Sequence, residues 1–279
     1  MKILFCLTDI HSFYDKAMEA LNKQGFDIDN EDHILVVCGD LLDRGPDAEK
    51  CLEFVNSVPE DRKILIIGNH EDLLVEALDR GRFWAHDVRN GTVDTVAQLS
   101  GIPYEDIMMS ELTAFGACDK VKNIPSLKQY LESCVDYAVV GEYVFVHGWI
   151  PARFKDGMPI TALDRNNGDW KDGDWENARW LNGMAEWKWN RLTNKTIVCG
   201  HCHCSWGHAY LHNDGVEFAD EYYVNDGEKQ PVNRFDPFID DGIIAFDSCV
   251  AYSEEMYCVK LEVGDEEWQS RTLGNTMSV

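Results

Sequence analysis

The chain has 279 residues, 45% of them apolar and 27% charged, enough for one large globular core or two small ones. Its 50 Asp and Glu against 25 Lys and Arg leave a net charge of −25. A surface that acidic repels nucleic-acid phosphates and anionic membranes, so neither is expected as a partner, and an anionic substrate requires a local reversal of the field.

The first element is "KILFCLTD" at residues 2–9, a near-continuous apolar run that ends in Asp9. Its five apolar residues, 3–7, are too few for a secretory signal, and no later run approaches the length of a membrane span. A helical pattern follows at residues 12–23. "HILVVCGD" (33–40) repeats the first design, a second helical pattern fills 47–55, and "KILIIGNH" (63–70) repeats the design again. Runs of Ile, Leu and Val without alternation suit strands covered on both faces. Strand, helix, strand, helix, strand implies a parallel sheet with right-handed crossovers, and ligands in such α/β sheets collect at the carboxyl ends of the strands.

Residues 73–98 have a helical pattern interrupted at Gly81. The stretch 116–133 is mixed, with a helix expected around 127–131, and 73–135 as a whole reads as a helical insertion or cap. "YAVVGEYVFVHG" (137–148) predicts two strands joined at a Gly-Glu turn, with His147 closing the second. "KTIVCGHCHC" (195–204) is another run ending in Gly-His. Residues 207–241 are polar and turn-rich, a long excursion within a single domain spanning 1–279. "GIIAFDSCVAY" and "MYCVKLEV" near the end read as a hairpin-like pair. The ten cysteines do not make a disulfide scaffold in a chain of this length: Cys6, Cys38 and Cys199 lie inside apolar runs as small hydrophobes, so a reducing cytoplasm is the expected setting.

Five strand ends carry chemistry: Asp9 and His11; Asp40, Asp43 and Arg44; Asn69, His70 and Glu71; His147; and His201 with His203. Each has a plain alternative. Asp9 and Asp40 could cap turns or helices, "GNHE" could open a capped helix, His147 could be a structural histidine, and "CGHCHC" hints at a zinc knuckle but lacks a second ligand pair. Gathering so many unpaired charges and imidazoles at one end of a sheet is costly, and bound cations would offset that cost. A mixture of oxygen and nitrogen ligands suits Mn, Fe, Zn, Co or Ni better than an all-oxygen calcium site. Two ions need a shared carboxylate, and Asp40 is the natural bridge.

The motifs "TDIHS", "GDLLDRGPD", "IIGNHE", "VHG" and "GHCH", in that order over residues 8–263, resemble the calcineurin-like metallophosphoesterases, and within them the bacterial relatives of the PPP-type serine/threonine phosphatases. The resemblance implies an α/β architecture of two mixed β-sheets packed as a sandwich with flanking helices. It implies that Asp9 and His11 bind a first divalent metal ion, that Asp40 bridges, and that Asn69, His147 and His201 bind a second, with Mn the favoured ion. The "GHxH" form implies that His203 reaches the first ion, a departure from the PPP-type enzymes, and "HGW" places Trp149 at the site edge. The implied reaction is hydrolysis of a phosphate monoester by a water activated between two cations. In it Arg44 holds the phosphoryl oxygens, His70 protonates the leaving oxygen and Asp43 orients His70. Phosphoserine and phosphothreonine proteins are the first substrate class. "GDLLDRGPD" also resembles diadenosine tetraphosphate hydrolases, so a dinucleoside polyphosphate or nucleotide is the alternative, and a non-catalytic metal-binding protein is a third reading.

Weaker signals remain. Five of the nine tryptophans lie in 170–189, either a substrate-facing rim or an aromatic layer packed on the sheet. Arg179 in that stretch is a second candidate for binding substrate phosphate, with a salt-bridge role as its alternative. His33, His86, His208 and His212 read as surface or structural, residues 164–177 miss the calcium-loop pattern, and no cysteine has the partners of a nucleophile.

Overall fold

The computed structural model describes residues 1–151, 170–217 and 233–277, together with short paired strands at 153–155, 158–160, 224–225 and 228–229. Strands β1 (Lys2–Leu7), β2 (His33–Cys38), β3 (Lys63–Ile66) and β4 (Cys134–Val135) run parallel in one sheet. Helix α1 (Tyr14–Gln24) links β1 to β2, and α2 (Ala48–Ser57) links β2 to β3. The expected alternation therefore holds, but α1 begins two residues later than its sequence pattern. The reason is that His11 and Ser12 adopt left-handed φ values of 48° and 59°.

Between β3 and β4 the chain is helical: α3 (Asn69–Arg80), α4 (Ala85–Asn90), α5 (Thr92–Ser100), α6 (Tyr104–Met109), α7 (Glu111–Lys122) and α8 (Pro125–Ser133). Left-handed glycines at 81, 91 and 101 end three of them. The stretch read as mixed is thus two helices, with Pro125 opening the second. These helices pack on the first sheet: Leu74, Val93, Ala117, Leu127 and Tyr130 share one apolar cluster with Phe5, Leu7, Leu35 and Leu65.

The second sheet contains β5 (Ala138–Val140) and β6 (Tyr143–Phe145), the expected hairpin. A small hairpin, β7 (Arg153–Lys155) and β8 (Met158–Ile160), and the helices α9 (Trp175–Ala178) and α10 (Gly183–Trp189) follow. The chain then re-enters the second sheet as β9 (Thr196–Cys199), which runs parallel to β6. After another small pair, β10 (Val224–Asn225) and β11 (Glu228–Lys229), come β12 (Phe238–Asp240), β13 (Ile243–Ala245), β14 (Val259–Val263) and β15 (Thr272–Leu273). The sheet orders are β14-β1-β2-β3-β4 and β12-β13-β9-β6-β5-β15.

One expectation fails here. The closing pair is not a hairpin: β13 pairs with β12 and lies parallel to β9 in the second sheet, while β14 crosses to the first sheet and pairs antiparallel with β1. β13 is apolar throughout and β14 at alternating positions, and such local patterns do not say which sheet receives a strand.

Alternation along β1 shows how the layers divide. Phe5 and Leu7 face the helices, while Leu4 and Cys6 join Val36, Ile64 and Ile66 against Phe145, Val198, Ile244 and Phe246 of the second sheet. The outer face of the second sheet is covered by the tryptophan-rich stretch: Trp149, Trp170, Trp175 and Trp187 pack with Val144, Ile197 and Ile243. Three of the five clustered tryptophans are therefore an aromatic layer, and Trp180 and Trp189 remain exposed. Trp149 is 1% exposed within that layer rather than at a site edge. Residues 161–169, 218–223, 226–227 and 230–232 lie outside the described structure, and with them parts of the calcium-like loop and of the 207–241 excursion.

Phe145, fully buried between the sheets, gives a direct check of this layering. Phe145→Ala is expected to lower the unfolding free energy by about 3–5 kcal/mol in a urea titration. A loss under about 1 kcal/mol would place the ring outside the inter-sheet core.

Candidate active site

The loops after β1 and β2 are joined by main-chain hydrogen bonds that extend the parallel ladder: Asp9 N–H donates to the Gly39 carbonyl (3.1 Å), His11 N–H to Asp40 (2.9 Å) and Ser12 N–H to Leu41 (2.8 Å). The loop after β3 is drawn in by Glu71, whose carboxylate accepts from the N–H groups of Gly68 (2.8 Å), Asp40 (3.0 Å) and Leu41 (3.0 Å). One side chain thus starts α3 and fixes the loop that carries Asp40. Glycine is required at two of these junctions. A Cβ on Gly68 would lie 2.1 Å from Asp40 Oδ1, and one on Gly200 would lie 2.1 Å from Asp9 Oδ2. Of the eleven non-glycine residues with positive φ among the described residues, seven stand here: Asp9, His11, Ser12, Asp40, Asp43, Arg44 and His201. Strain of that kind persists only where the surroundings over-determine it, and it concentrates at functional sites.

The histidines show what the strain achieves. His11 Nδ1 meets the Leu42 carbonyl at 3.0 Å, His147 Nδ1 meets the Cys38 carbonyl at 2.8 Å, and His70 Nδ1 meets Asp43 Oδ2 at 2.8 Å. A carbonyl or ionised carboxylate can only accept, so in the neutral ring each Nδ1 carries the proton and each Nε2 keeps a lone pair. The His201 ring meets the Trp180 ring edge-on, with centroids 5.8 Å apart. The Nε2 atoms converge on Asp40 Oδ2, at 3.8 Å for His11, 3.9 Å for His70 and 3.3 Å for His147. Asn69 Oδ1 is 2.9 Å from His147 Nε2. Donor atoms around one ion at about 2.1 Å sit roughly 3–3.5 Å apart, so the contacts of His147 with Asp40 and Asn69 fit ligation, while those of His11 and His70 with Asp40 are wider. Ligand-capable atoms of Asp40, His147 and His201 lie within 4.8 Å of one another, as do those of His11, Asp40 and His70. Asp9, 3% exposed, accepts from Thr8 Oγ1 (2.5 Å) and from the His201 N–H (3.0 Å) through Oδ2.

Charge within the cluster is balanced by protons. Burial raises the Asp9 carboxyl to about 6, with the neighbouring Asp40 charge adding to it and His147 opposing it. Burial also opposes ionisation of Asp40, yet the imidazoles of His147 and His70 outweigh it and hold the carboxyl well below its usual range. Burial disfavours the charged form of His147, but Asp40 and Asp9 overcome it and lift the imidazole to about 10. His201 goes the other way, to about 3, through burial and the repulsion of His147. Ionisable groups driven apart in this manner cluster at functional sites.

His70 is held by a buried network. Asp43 Oδ2 accepts from Thr92 Oγ1 (2.9 Å) as well as His70, and Oδ1 accepts from Thr95 Oγ1 (2.8 Å), which in turn accepts the Asp43 N–H (3.0 Å). Helix α5 therefore supports the Asp43–His70 pair. Arg44 is exposed, and its Nη2 lies 3.2 Å from His70 Nε2, at the open side of the cluster. Burial opposes protonation of His70, while Asp40 and Asp43 outweigh it and raise the imidazole above its ordinary value.

Two expected residues stand apart. Arg179 donates from Nη1 to Asp72 (2.6 Å) and from Nη2 to Asp136 (2.5 Å), the salt-bridge role set beside phosphate binding in the sequence. His203 is outside both convergent groups, with Nε2 3.9 Å from Asp247 Oδ2. Asp247 itself is 3% exposed and its carboxyl is pushed up to about 7 by burial and by Asp9. Sequence reading missed Asp247, Thr8, Thr92 and Thr95. The two threonines carried a faint signal, a helical i, i+3 spacing, but nothing in the sequence places that helix beside residue 43.

A model of the calcineurin-like phosphoesterases matches residues 1–227 of this chain. The chain belongs to that family. Among curated phosphoesterases, it is 32% identical over 108 residues to a symmetrical bis(5'-nucleosyl)-tetraphosphatase of Proteus mirabilis, covering 39% of this chain and 36% of that one. It is 30% identical over 107 residues to an asymmetrical bis(5'-nucleosyl)-tetraphosphatase of Bacillus velezensis, covering 36% and 42%. A Buchnera aphidicola enzyme of the symmetrical type matches over 71 residues, 25% of this chain and 24% of its own length, at 34% identity. The chain thus matches only about a quarter to two fifths of these relatives' lengths. A crystal structure of a cold-active protein tyrosine phosphatase superposes with a TM-score of 0.50 at 18% identity, over 98% of this chain and 78% of that one, a likeness of fold alone.

Thr95→Val tests the support of Asp43. It removes a donor from Oδ1 and an acceptor from the Asp43 N–H in a fully buried place, and is expected to cost about 1–3 kcal/mol in chemical denaturation. A cost under about 0.5 kcal/mol would show that Asp43 does not depend on α5.

Proposed function

We propose that this chain is a metal-dependent phosphoesterase that hydrolyses phosphate monoesters, with phosphoserine and phosphothreonine in proteins as its first substrate class. The observation that carries the reading is the convergence of Nε2 atoms on the Asp40 carboxylate beside a separately supported Asp43–His70 pair. Asp9 and His11 with Asp40 would hold one divalent cation, and Asp40, Asn69, His147 and His201 a second. His203 is a candidate ligand of the first, since its neighbour Asp247 lies close enough to feel the Asp9 charge. The oxygen and nitrogen set suits Mn first among Mn, Fe, Zn, Co and Ni. Two such cations would supply positive charge for the phosphoryl oxygens and acidify a water.

The remaining roles belong to the chain. In hydrolysis a water oxygen bonds phosphorus as the ester P–O bond breaks, and the departing oxygen needs a proton. His70 would provide it from Nε2, and the negative charge of Asp43 stabilises the imidazolium that carries it. Arg44, a planar fork of donors at the open side, would grip equatorial phosphoryl oxygens. Arg44 and the cations also reverse the field that a net charge of −25 sets up against any phosphate. A second reading, hydrolysis of a dinucleoside polyphosphate or nucleotide, draws support from the curated relatives. A purely metal-binding role is disfavoured, because holding an ion requires no proton donor held by a carboxylate that two buried hydroxyls fix in turn.

An assay with Mn on p-nitrophenyl phosphate, a phosphoserine peptide, diadenosine tetraphosphate and a cyclic nucleotide separates these readings. Turnover of the first two above the others supports the monoesterase. Silence on all four with metal shown bound would support the binding protein. His70→Asn is expected to retain its metals and lose about 10²–10⁴-fold in rate on phosphoserine. The loss on p-nitrophenyl phosphate should be smaller, because that leaving group departs without a proton. Full activity of the variant on phosphoserine would remove His70 from its role.

A further inference from the structure

A second group of metal-binding side chains lies beyond the catalytic cluster, in "HAYLHND" at residues 208–214. His208 and His212 are four residues apart on a single wide helical turn, His208–His212, of the i→i+5 type that recurs at functional sites. Asn213, at a left-handed φ of 55°, then reverses the chain, and the Asp214 N–H donates back to the His208 carbonyl at 3.1 Å. The reversal returns the Asp214 carboxylate to the histidines. One ligand-capable atom from each of His208, His212 and Asp214 lies within 4.8 Å of the other two.

The surroundings repeat the arrangement seen at the catalytic histidines. His208 Nε2 meets the Asp236 carbonyl at 3.0 Å, so the proton of the neutral ring is on Nε2 and Nδ1 keeps its lone pair. That lone pair faces Asp214 Oδ1 at 3.1 Å, two acceptors in contact unless a proton or a cation lies between them. His212 spends Nε2 on Asp240 Oδ2 at 3.1 Å, which leaves its Nδ1 available as well. Arg234 holds the other oxygen of Asp214 and grips Asp236 through Nε and Nη2, fixing both carboxylates from behind. Outer partners of this kind orient metal ligands and set the tautomer of a ligating histidine. His208 is 3% exposed, so the group has a buried floor and an open side toward Asp214 and His212.

We infer that His208, His212 and Asp214 form a third, structural cation site, for a borderline ion of the Zn, Co or Ni class. Two imidazole nitrogens and one carboxylate suit that class, with water completing the tetrahedron. An ion there ties the segment after the His201–His203 loop to β12, where His212 already packs on Phe238 with ring centroids 4.4 Å apart. This site does not depend on the phosphoesterase reading. It takes no part in the proposed hydrolysis.

The test is metal stoichiometry. Full-length protein is stripped with a chelator, reloaded with Zn, desalted and measured by atomic emission, for the unmodified chain, for His212→Asn and for Asp40→Asn. His212 is on the surface, so its replacement leaves the core intact. The unmodified chain is expected to hold one more equivalent than His212→Asn, and Asp40→Asn is expected to keep that equivalent. Zn affinity at the site should fall at least about 100-fold in His212→Asn, beyond the 10–100-fold loss typical of an outer partner. Adding Zn should also raise the melting temperature of Asp40→Asn, and not that of the double variant with His212→Asn. Equal stoichiometry in the unmodified chain and His212→Asn would overturn the site, leaving a protonated His208 paired with Asp214. A Zn-dependent melting shift that survives in the double variant would overturn it too.

Discussion

Three imidazoles of the central cluster, His11, His70 and His147, are each anchored at Nδ1, and the rest of the site depends on that constraint. The anchors are the carbonyls of Leu42 and Cys38 and the carboxylate of Asp43. They set the tautomers, and the lone pairs that remain point at one carboxylate, Asp40. The anchors are themselves backbone of strand ends and tight loops, so the parallel ladder that joins residues 9–12 to 39–41 is a precondition for the chemistry. A one-residue slip in that ladder would turn the lone pairs away from Asp40.

The arrangement also accounts for its own cost. Buried carboxylates and imidazoles at one point are unfavourable, and without ions they share protons, with His147 and His201 driven in opposite directions. Seven left-handed residues add backbone strain. Opposing these are two sheets packed face to face and, outside them, a helical layer on one side and a tryptophan layer on the other. The helical layer is more than a cover, because α5 delivers Thr92 and Thr95 to Asp43 and so reaches the proposed proton donor from behind.

Most of the first sheet was legible because its strands are buried on both faces and read as unbroken Ile, Leu and Val runs that stop at Gly-Asp, Gly-Asn or Asp. The placement of Asp9, His11, Asp40, Asn69, His70, His147 and His201 at strand ends followed from those stops. What escaped was long-range. The crossing of β14 to the first sheet, the Arg179 ion pairs with Asp72 and Asp136, and the burial of Trp149 each depend on a partner distant in sequence. The two glycine-terminated helices of residues 85–100 were blurred into one pattern because Gly91 interrupts an apolar periodicity without ending it.

The most direct measurement is anomalous scattering from a crystal soaked in Mn. Two peaks about 3.5–4 Å apart, with Asp40 between them and His11 and His147 on opposite sides, are what this arrangement of anchored imidazoles predicts. A single peak, or ions bound only away from Asp40, would contradict it and leave the convergence of these side chains without a chemical purpose.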